Sequence, residues 1–384
     1  MDIFDEIRFI ARKTQNPYLK EARSAGQKIM GYLCSYVPEE ILHAAGFIPY
    51  RLRTVESLGT EKGDLYYSAL NCSFVRHCFD KAVRGDFDFL DGVIFFNGCD
   101  HSRRMYDNWR DLYRERQAGP GFLHMLIAPH KISQTALNRY TDELSKLVRA
   151  LEESFGLKIT DQKLHNSICL YNEKRSLLAQ LFAMRKGEKV PLTGAESIRL
   201  VLALSAVPVE KAVSLLEKMI DACQDRNVAK PGDLRLFMAG GCMEEADHMQ
   251  LIEDQGAVVV ADNLCLGARS VHTPIEEDLP PVPAIARRYL THLSCPRMVN
   301  DFYSRSHYFE ETIRDFSVDA VITDKLMFCD LWGGEAFLLK SEARRLGIPI
   351  LTLEREMHGG GAGQVQTRVQ AFFEKIANLT QDDA

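Results

Sequence analysis

No stretch of this 384-residue chain approaches the roughly 20 consecutive apolar residues that span a bilayer. The opening MDIFDEIRFIARKTQ mixes acids and bases with apolar residues at helical spacing and lacks an apolar signal core. A cytoplasmic chain is therefore expected. A basic excess is lacking too: 47 Lys and Arg against 53 Asp and Glu leave a net charge of −6. Nothing global then draws the chain to nucleic acid or to an anionic membrane. Its ten cysteines are too sparse for a small disulfide scaffold, and a reducing compartment keeps them as thiols. None stand in the Cys-x2–4-Cys spacing of structural zinc sites. The closest pair, Cys72 and Cys78 in NCSFVRHC, would sit roughly 240° apart around a helix, so at most one can face a common site. No Gly-x4-Gly-Lys-Ser/Thr is present, which leaves any ATP hydrolysis to another protein.

What is present is a globular composition, 46% hydrophobic and 26% charged, over a length that calls for more than one core. Periodicity and punctuation predict an opening helix to about Ala25, a strand at Ile29–Cys34, a helix over Pro38–Ala45 and a strand at Phe47–Leu52. A helix over Ser73–Val83, a strand at Gly92–Asn97, a polar helix near Arg103–Gln117 and a strand at Phe122–Ala128 follow. From about Ser133 to Asp225 the pattern is helical, with breaks near Gly156 and Pro191–Gly194. Alternation then returns, with strands at Leu234–Ala239, Ala257–Ala261, Ala320–Thr323 and Pro349–Leu353 and helices between them, among them Gly334–Leu346, and a last helix from about Gly363. The fold class expected is α/β: two doubly wound, Rossmann-like parallel-sheet domains, 1–132 and 231–384, around a helical middle segment, 133–230.

The two outer segments echo each other. FDFLDGVIFFNGCD at Phe87–Asp100 resembles FSVDAVITDKLMFCD at Phe316–Asp330, and KIMGYLCSYVPEE at Lys28–Glu40 is loosely matched by LRLFMAGGCMEE at Leu234–Glu245. A duplicated unit is inferred. Open α/β sheets bind ligands beyond the carboxyl ends of their strands, and Cys34, Cys99, Cys242, Cys265 and Cys329 all fall there. Cysteine used as core filler belongs inside an element, as expected for Cys169 and Cys223. Thiols gathered from distant loops suit an iron–sulfur cluster, which needs thiolates but not sequence proximity. Pro38, expected at the first turn of a helix, would bring free N–H groups near Cys34.

The segments GYLCSYVPEEILHAAGFIPYRLR, NCSFVRHCFD, FFNGCDHSRRMYDNW, DNLCLGARS, FCDLWGGEAF and GIPILTLEREMHGGGAGQVQTRVQAFFE together resemble the benzoyl-CoA reductase and 2-hydroxyacyl-CoA dehydratase family over about residues 25–375. The resemblance implies a subunit that binds a [4Fe–4S] cluster between its domains and pairs with a homologous cluster-binding subunit. It also implies an acyl-CoA substrate and an ATP-dependent iron–sulfur activator that supplies low-potential electrons. The family's cluster cysteines match Cys34, Cys72 and Cys329; Cys99, in its Cys-Asp motif, is the fourth candidate, with support of the ligands from behind as the other reading. Cys265 and Cys295 stand at other recurrent family positions and are read as packing or support. Within the family the chain looks most like the smaller subunit of an ATP-dependent benzoyl-CoA reductase, an anaerobic enzyme of aromatic degradation. A dehydratase subunit and a self-contained homodimeric reductase with a fused double cluster are the other readings, and a scaffold completing its partner's site is the non-catalytic one.

Among the remaining residues, His77 and His101 sit beside Cys78 and Asp100, where either could donate a proton. Glu39 and Glu40 occupy a first helical turn that favours acids, and Glu40 is also an acid–base candidate. The GGGAGQ run, with Gly359, Gly360, Gly361 and Gly363, precedes a helix whose free N–H groups could hold a CoA phosphate, or is simply a flexible loop. Arg103 and Arg104 are read as solvated charge, with activator or CoA contact as the alternative.

Overall fold

Short apolar runs rich in Ile, Val and Phe are strands buried on both faces in the middle of a parallel sheet. The computed structural model describes residues 2–271 and 273–382 and arranges eight strands in two sheets. In the first, β1 (Lys28–Tyr32), β2 (Phe47–Arg51), β3 (Gly92–Phe96) and β4 (Phe122–Leu126) run parallel in the order β2-β1-β3-β4. In the second, β5 (Leu234–Gly240), β6 (Ala257–Asp262), β7 (Ala320–Leu326) and β8 (Ile350–Arg355) run parallel in the order β6-β5-β7-β8. The orders are equivalent. The two pairs of matched sequence segments fall on β1 with β5 and on β3 with β7, the first and third strands of each sheet. The α/β class with two doubly wound sheets is what the structure has.

Side-chain alternation divides each sheet between two cores. Met30, Tyr32, Ile94 and Phe96 face one core, whereas Ile29, Val93 and Phe95 face another. Leu236 and Met238 face a third, and Phe237 and Ala239 a fourth. The opening helix is two helices, α1 (Ile3–Ala11) and α2 (Pro17–Ser24), because Pro17 cannot continue the first and the Asn16 side chain caps the second. They are followed by α3 (Glu39–Ala44), α4 (Ser73–Arg84) and α5 (Asp100–Arg116).

The helical middle comprises α6 (Gln134–Phe155), α7 (Asp161–Ala183), α8 (Gly194–Leu204) and α9 (Val209–Cys223). It is shared between the sheets rather than standing alone. Leu144, Leu147, Leu164 and Ile168 pack with the first sheet, and Leu181, Phe182, Leu200 and Leu216 with the second. Two segments also cross over. Ile7 and Ile10 of α1 enter the core of the second sheet, and Ile285 and Tyr289 of α12 (Pro281–Thr291) enter that of the first; the short α11 (Ala268–Val271) precedes α12. The second half is completed by α10 (Ala246–Glu253), α13 (Phe302–Asp315), α14 (Asp330–Arg345) and α15 (Ala362–Asp382). No helix among the described residues is long and apolar enough to cross a membrane.

Candidate functional site

Five strands each deliver a cysteine just past their carboxyl end: Cys34 after β1, Cys99 after β3, Cys242 after β5, Cys265 after β6 and Cys329 after β7. In both sheets the strand order reverses between the first and third strands, and crossovers leaving in opposite directions open a crevice there. Cys34 and Cys99 flank the first switch point. Cys242 and Cys329 flank the second.

Cys72, Cys99 and Cys329 are the N-cap residues of α4, α5 and α14. Their helices begin directly after the cysteine, three or four residues earlier than hydrophobic period suggests for α5 and α14. Backbone N–H groups of the first turn therefore reach the sulfurs: those of Val75 and Phe74 favour charge on Cys72, those of Ser102 and His101 on Cys99, and that of Trp332 on Cys329. The helix dipoles act in the same sense. Burial works against them, raising all three thiols and lifting Cys329 to about 11. Cys72 is raised further by charge on Cys99 and Cys329, which places the three in one electrostatic neighbourhood.

Cys34 joins them from the side. Its Sγ lies 3.9 Å from where a Cβ on Gly98 would stand, against the loop that carries Cys99. Its backbone support differs from the sequence expectation: Pro38 is the N-cap of α3 rather than a first-turn residue, and the backbone donor that favours charge on the thiol is Tyr36. Cys265 and Cys295 lie on the Cys34 side, where charge on Cys265 raises both Cys34 and Cys295. Cys78 is fully buried within α4 and Cys223 within α9, both as core.

The cations around these thiols carry no signal in the sequence. Arg51 is 5% exposed, and Arg269 and Arg297 are 1% exposed. Arg269 donates to Cys265 Sγ at 3.0 Å and to the Asn263 carbonyl at 2.8 Å. Arg297 donates to the Ala128 and Pro129 carbonyls at 2.8 and 3.1 Å and lies over the Tyr36 and Phe96 rings. Burial opposes the charge of Arg51, and Cys242, Tyr32, Cys265 and Cys34 sustain it. Among the described residues none of the three arginines has a carboxylate partner, and the Nε of each lacks a hydrogen-bond acceptor, as does Trp332 Nε1 beneath Arg269. Buried cations without anions are strongly unfavourable, so the site calls for negative charge. Thiolates carrying an iron–sulfur cluster, net negative and rich in sulfur acceptors, match that demand. Among the described residues no three His, Cys, Asp or Glu converge on a single ion, whereas a cluster spreads its thiolates over separate irons.

The other candidates are committed elsewhere. His77 contacts Ser57 Oγ at 2.8 Å and the Met357 carbonyl at 3.0 Å, and burial lowers its pKa. His101 contacts Asn71 Oδ1 at 3.0 Å and the Phe328 carbonyl at 2.9 Å. Glu40 has no exposed surface; it pairs with Arg175 and accepts from Tyr289 Oη at 2.9 Å, a structural anchor rather than an open acid. Gly359, Gly360 and Gly361 line a groove of about 490 Å³, and Gly363 lies inside α15. That groove holds Glu56, Glu244, Glu245, Asp247 and Glu356, while its Arg12, Arg199 and Arg355 are all paired with acids, so its charge disfavours a phosphate. Arg104 pairs with Asp100 on the surface.

Comparison with known proteins gives the arrangement a lineage. The chain is 24% identical over 378 residues to the (R)-phenyllactyl-CoA dehydratase beta subunit of Clostridium sporogenes, covering 97% of this chain and 98% of that protein. It is 25% identical over 364 residues to one of the subunits of benzoyl-CoA reductase of Thauera aromatica, covering 93% and 92%. With the beta subunit of (R)-2-hydroxyglutaryl-CoA dehydratase of Acidaminococcus fermentans it shares 23% over 366 residues, covering 93% and 95%. The family model described as 2-hydroxyglutaryl-CoA dehydratase, D-component, matches residues 34–376, from the first candidate cysteine to the last core residue of α15, and the chain belongs to that family.

Proposed function

We propose that this protein is a [4Fe–4S]-binding subunit of an ATP-dependent benzoyl-CoA reductase, working beside a homologous subunit and fed by an ATP-hydrolysing iron–sulfur activator. The observation that carries the cofactor is three buried arginines without carboxylates beside Cys34, Cys242, Cys265 and Cys295, next to the helix starts that Cys72, Cys99 and Cys329 cap. Cys34, Cys72, Cys99 and Cys329 would hold the cluster. Bound there, it supplies electrons one at a time at low potential. The chain's own part is to exclude water with the Trp332 and Phe96 side chains, to direct helix N-termini at Cys72, Cys99 and Cys329 and guanidinium groups at Cys34, and to fix the cysteines on strand ends and helix starts. Exposed Leu65, Leu70, Phe328 and Phe337 flank these helix starts in sequence, which suits a partner subunit there.

The substrate rests on likeness. Two relatives, at 24% and 25% identity, are named for acyl-CoA thioesters that bear a phenyl ring. Dehydration of a 2-hydroxyacyl-CoA is the second reading, favoured by the family description and by the phenyllactyl-CoA relative. Anaerobic reconstitution with iron and sulfide tests the cofactor. Wild type should bind both, and Cys34→Ser, Cys72→Ser, Cys99→Ser and Cys329→Ser should each lower iron content, whereas Cys169→Ser and Cys223→Ser should not. Assay with partner and activator tests the substrate: ATP-dependent conversion of benzoyl-CoA to a dienoyl-CoA supports the reductase, and turnover of only 2-hydroxyacyl-CoA to enoyl-CoA moves the protein to the dehydratase branch.

A further inference from the structure

His101 touches all three cysteine-bearing helix starts. It is the second residue of α5, next but one to Cys99. Its Nε2 donates to the carbonyl of Phe328, the residue before Cys329, and its Nδ1 lies beside Oδ1 of Asn71, the residue before Cys72, a second acceptor that the single N–H of a neutral ring does not also serve. Asn71 is itself steadied by donation from Nδ2 to the Ser68 carbonyl at 2.9 Å. The Phe328 contact spans 227 positions and joins the two halves of the chain.

Phe328 is the strained member. Its φ of +62° lies in the left-handed region, which a bulky L-residue seldom occupies and keeps only where its surroundings impose it. That turn sets the direction in which Cys329 leaves β7, and the Cys329 N–H closes it on the Leu326 carbonyl at 3.1 Å. A side chain partly exposed at 36% gives Phe328 little packing to hold the conformation. The hydrogen bond from His101 is what reaches it from the other half.

Building on the cluster reading, we infer that His101 is a positioning residue: its hydrogen bond to the Phe328 carbonyl clamps the Cys329 loop against the start of the helix that Cys99 caps, and so fixes where the Cys329 sulfur stands relative to Cys99. The clamp acts through Phe328, so replacing Phe328 with glycine, which adopts positive φ freely, makes the clamp dispensable.

The full-length chain, reconstituted anaerobically with iron and sulfide, provides the test as wild type, His101→Ala, His101→Gln and His101→Ala/Phe328→Gly. Iron release to a chelator, the reduction potential and the electron paramagnetic resonance of the reduced cluster are read. His101→Ala should fold by circular dichroism and bind iron, but release it about tenfold faster, as expected for one lost hydrogen bond with a relaxed turn, with a shifted resonance and potential. His101→Gln, which keeps a side-chain N–H donor on a chain of different reach, should fall between. Adding Phe328→Gly should return both release and resonance toward wild type. Wild-type behaviour of His101→Ala, or a defect that Phe328→Gly leaves unchanged, overturns the inference. Absence of iron and sulfide from the wild type would instead overturn the cluster reading.

Discussion

Replacing Glu40 should unfold the protein before it touches chemistry. Glu40 has no exposed surface, and Arg175, on α7, is 6% exposed. Their ion pair joins α3 to α7, and Tyr289 on α12 donates to the same carboxylate at 2.9 Å, so three elements from distant parts of the chain meet on one side chain. Without the carboxylate, Arg175 keeps its bond to Asn172 Oδ1 at 2.9 Å, and the Tyr289 hydroxyl loses its acceptor. Breaking a buried pair from one side costs about 3–5 kcal/mol, and a stranded hydroxyl adds about 1 kcal/mol. Against a total stability of about 5–15 kcal/mol, Glu40→Met should leave the chain marginal. Glu40→Met/Arg175→Met removes the orphaned charge as well, and should recover most of the loss. Urea unfolding followed by far-ultraviolet circular dichroism measures both variants and Arg175→Met alone. A Glu40→Met cost of less than about 1 kcal/mol, or a double variant as costly as the sum of the singles, would refute the reasoning. Activity adds a second readout. A stable double variant that turns over substrate excludes Glu40 as the proton donor, and a stable but inactive one restores that role.

Arg51→Leu should act with opposite signs in two states: the cluster-free chain gains about 1–4 kcal/mol by losing an unpaired buried charge, while iron retention after reconstitution falls. Equal effects on both would mean that Arg51 does not serve the cluster. Gly240→Ala would bring a Cβ within 2.5 Å of the Asp324 carbonyl on the neighbouring strand; a loss of about 1–3 kcal/mol in thermal or urea unfolding is expected. Burial depresses the pKa of His77, so the unfolded chain takes up that proton first. Stability from this group is present above about pH 6.5 and is lost as pH falls from there through the depressed value; His77→Gln should flatten that slope in unfolding curves, and an unchanged slope would assign it to His124 and His130, which burial depresses likewise.

Strands are the most legible part of the fold, because a run buried on both faces announces itself: the sequence predicts Gly92–Asn97 and the structure has Gly92–Phe96. The five strand-end cysteines are legible for the same reason. Helix starts are not. Hydrophobic period places the start of α5 near Arg103 and that of α14 at Gly334, but both begin directly after a cysteine, at Asp100 and Asp330. Asp-His-Ser and Asp-Leu-Trp-Gly carry too little apolar period to count as helix, and that same shortfall hides the N-cap role of Cys99 and Cys329. The break at Asn16–Pro17 has a local signal in the Asn-Pro pair, which the longer apolar period running through it masks. Arg51, Arg269 and Arg297 have no signal in composition, since an arginine in sequence looks like surface and only tertiary packing puts it underground.

Duplication explains why the site forms and also why it is lopsided. Two copies of one sheet order present two switch points, each flanked by a cysteine after its first strand and another after its third: Cys34 with Cys99, and Cys242 with Cys329. If the halves had stayed alike, the four would be equivalent in pairs, Cys34 with Cys242 and Cys99 with Cys329. They have not. Cys242 lies 4.0 Å from Oε1 of Glu244, a carboxylate 4% exposed whose other oxygen accepts from the Thr54 N–H at 2.7 Å. Burial, and after it the charge of Glu244, raise the Cys242 thiol well above its ordinary value. Arg51 acts to lower both Cys242 and Cys34, but at Cys34 it is joined by Arg297, whereas at Cys242 Glu244 works against it. Negative charge on sulfur is therefore opposed at the second half's first strand and supported at the first half's. Cys329 differs because it caps α14, whose first-turn Trp332 N–H favours charge on its sulfur. On the proposed ligand set, three of the four strand-end cysteines would hold the cluster, and Cys72, which caps α4 beyond β2, would take the place of Cys242.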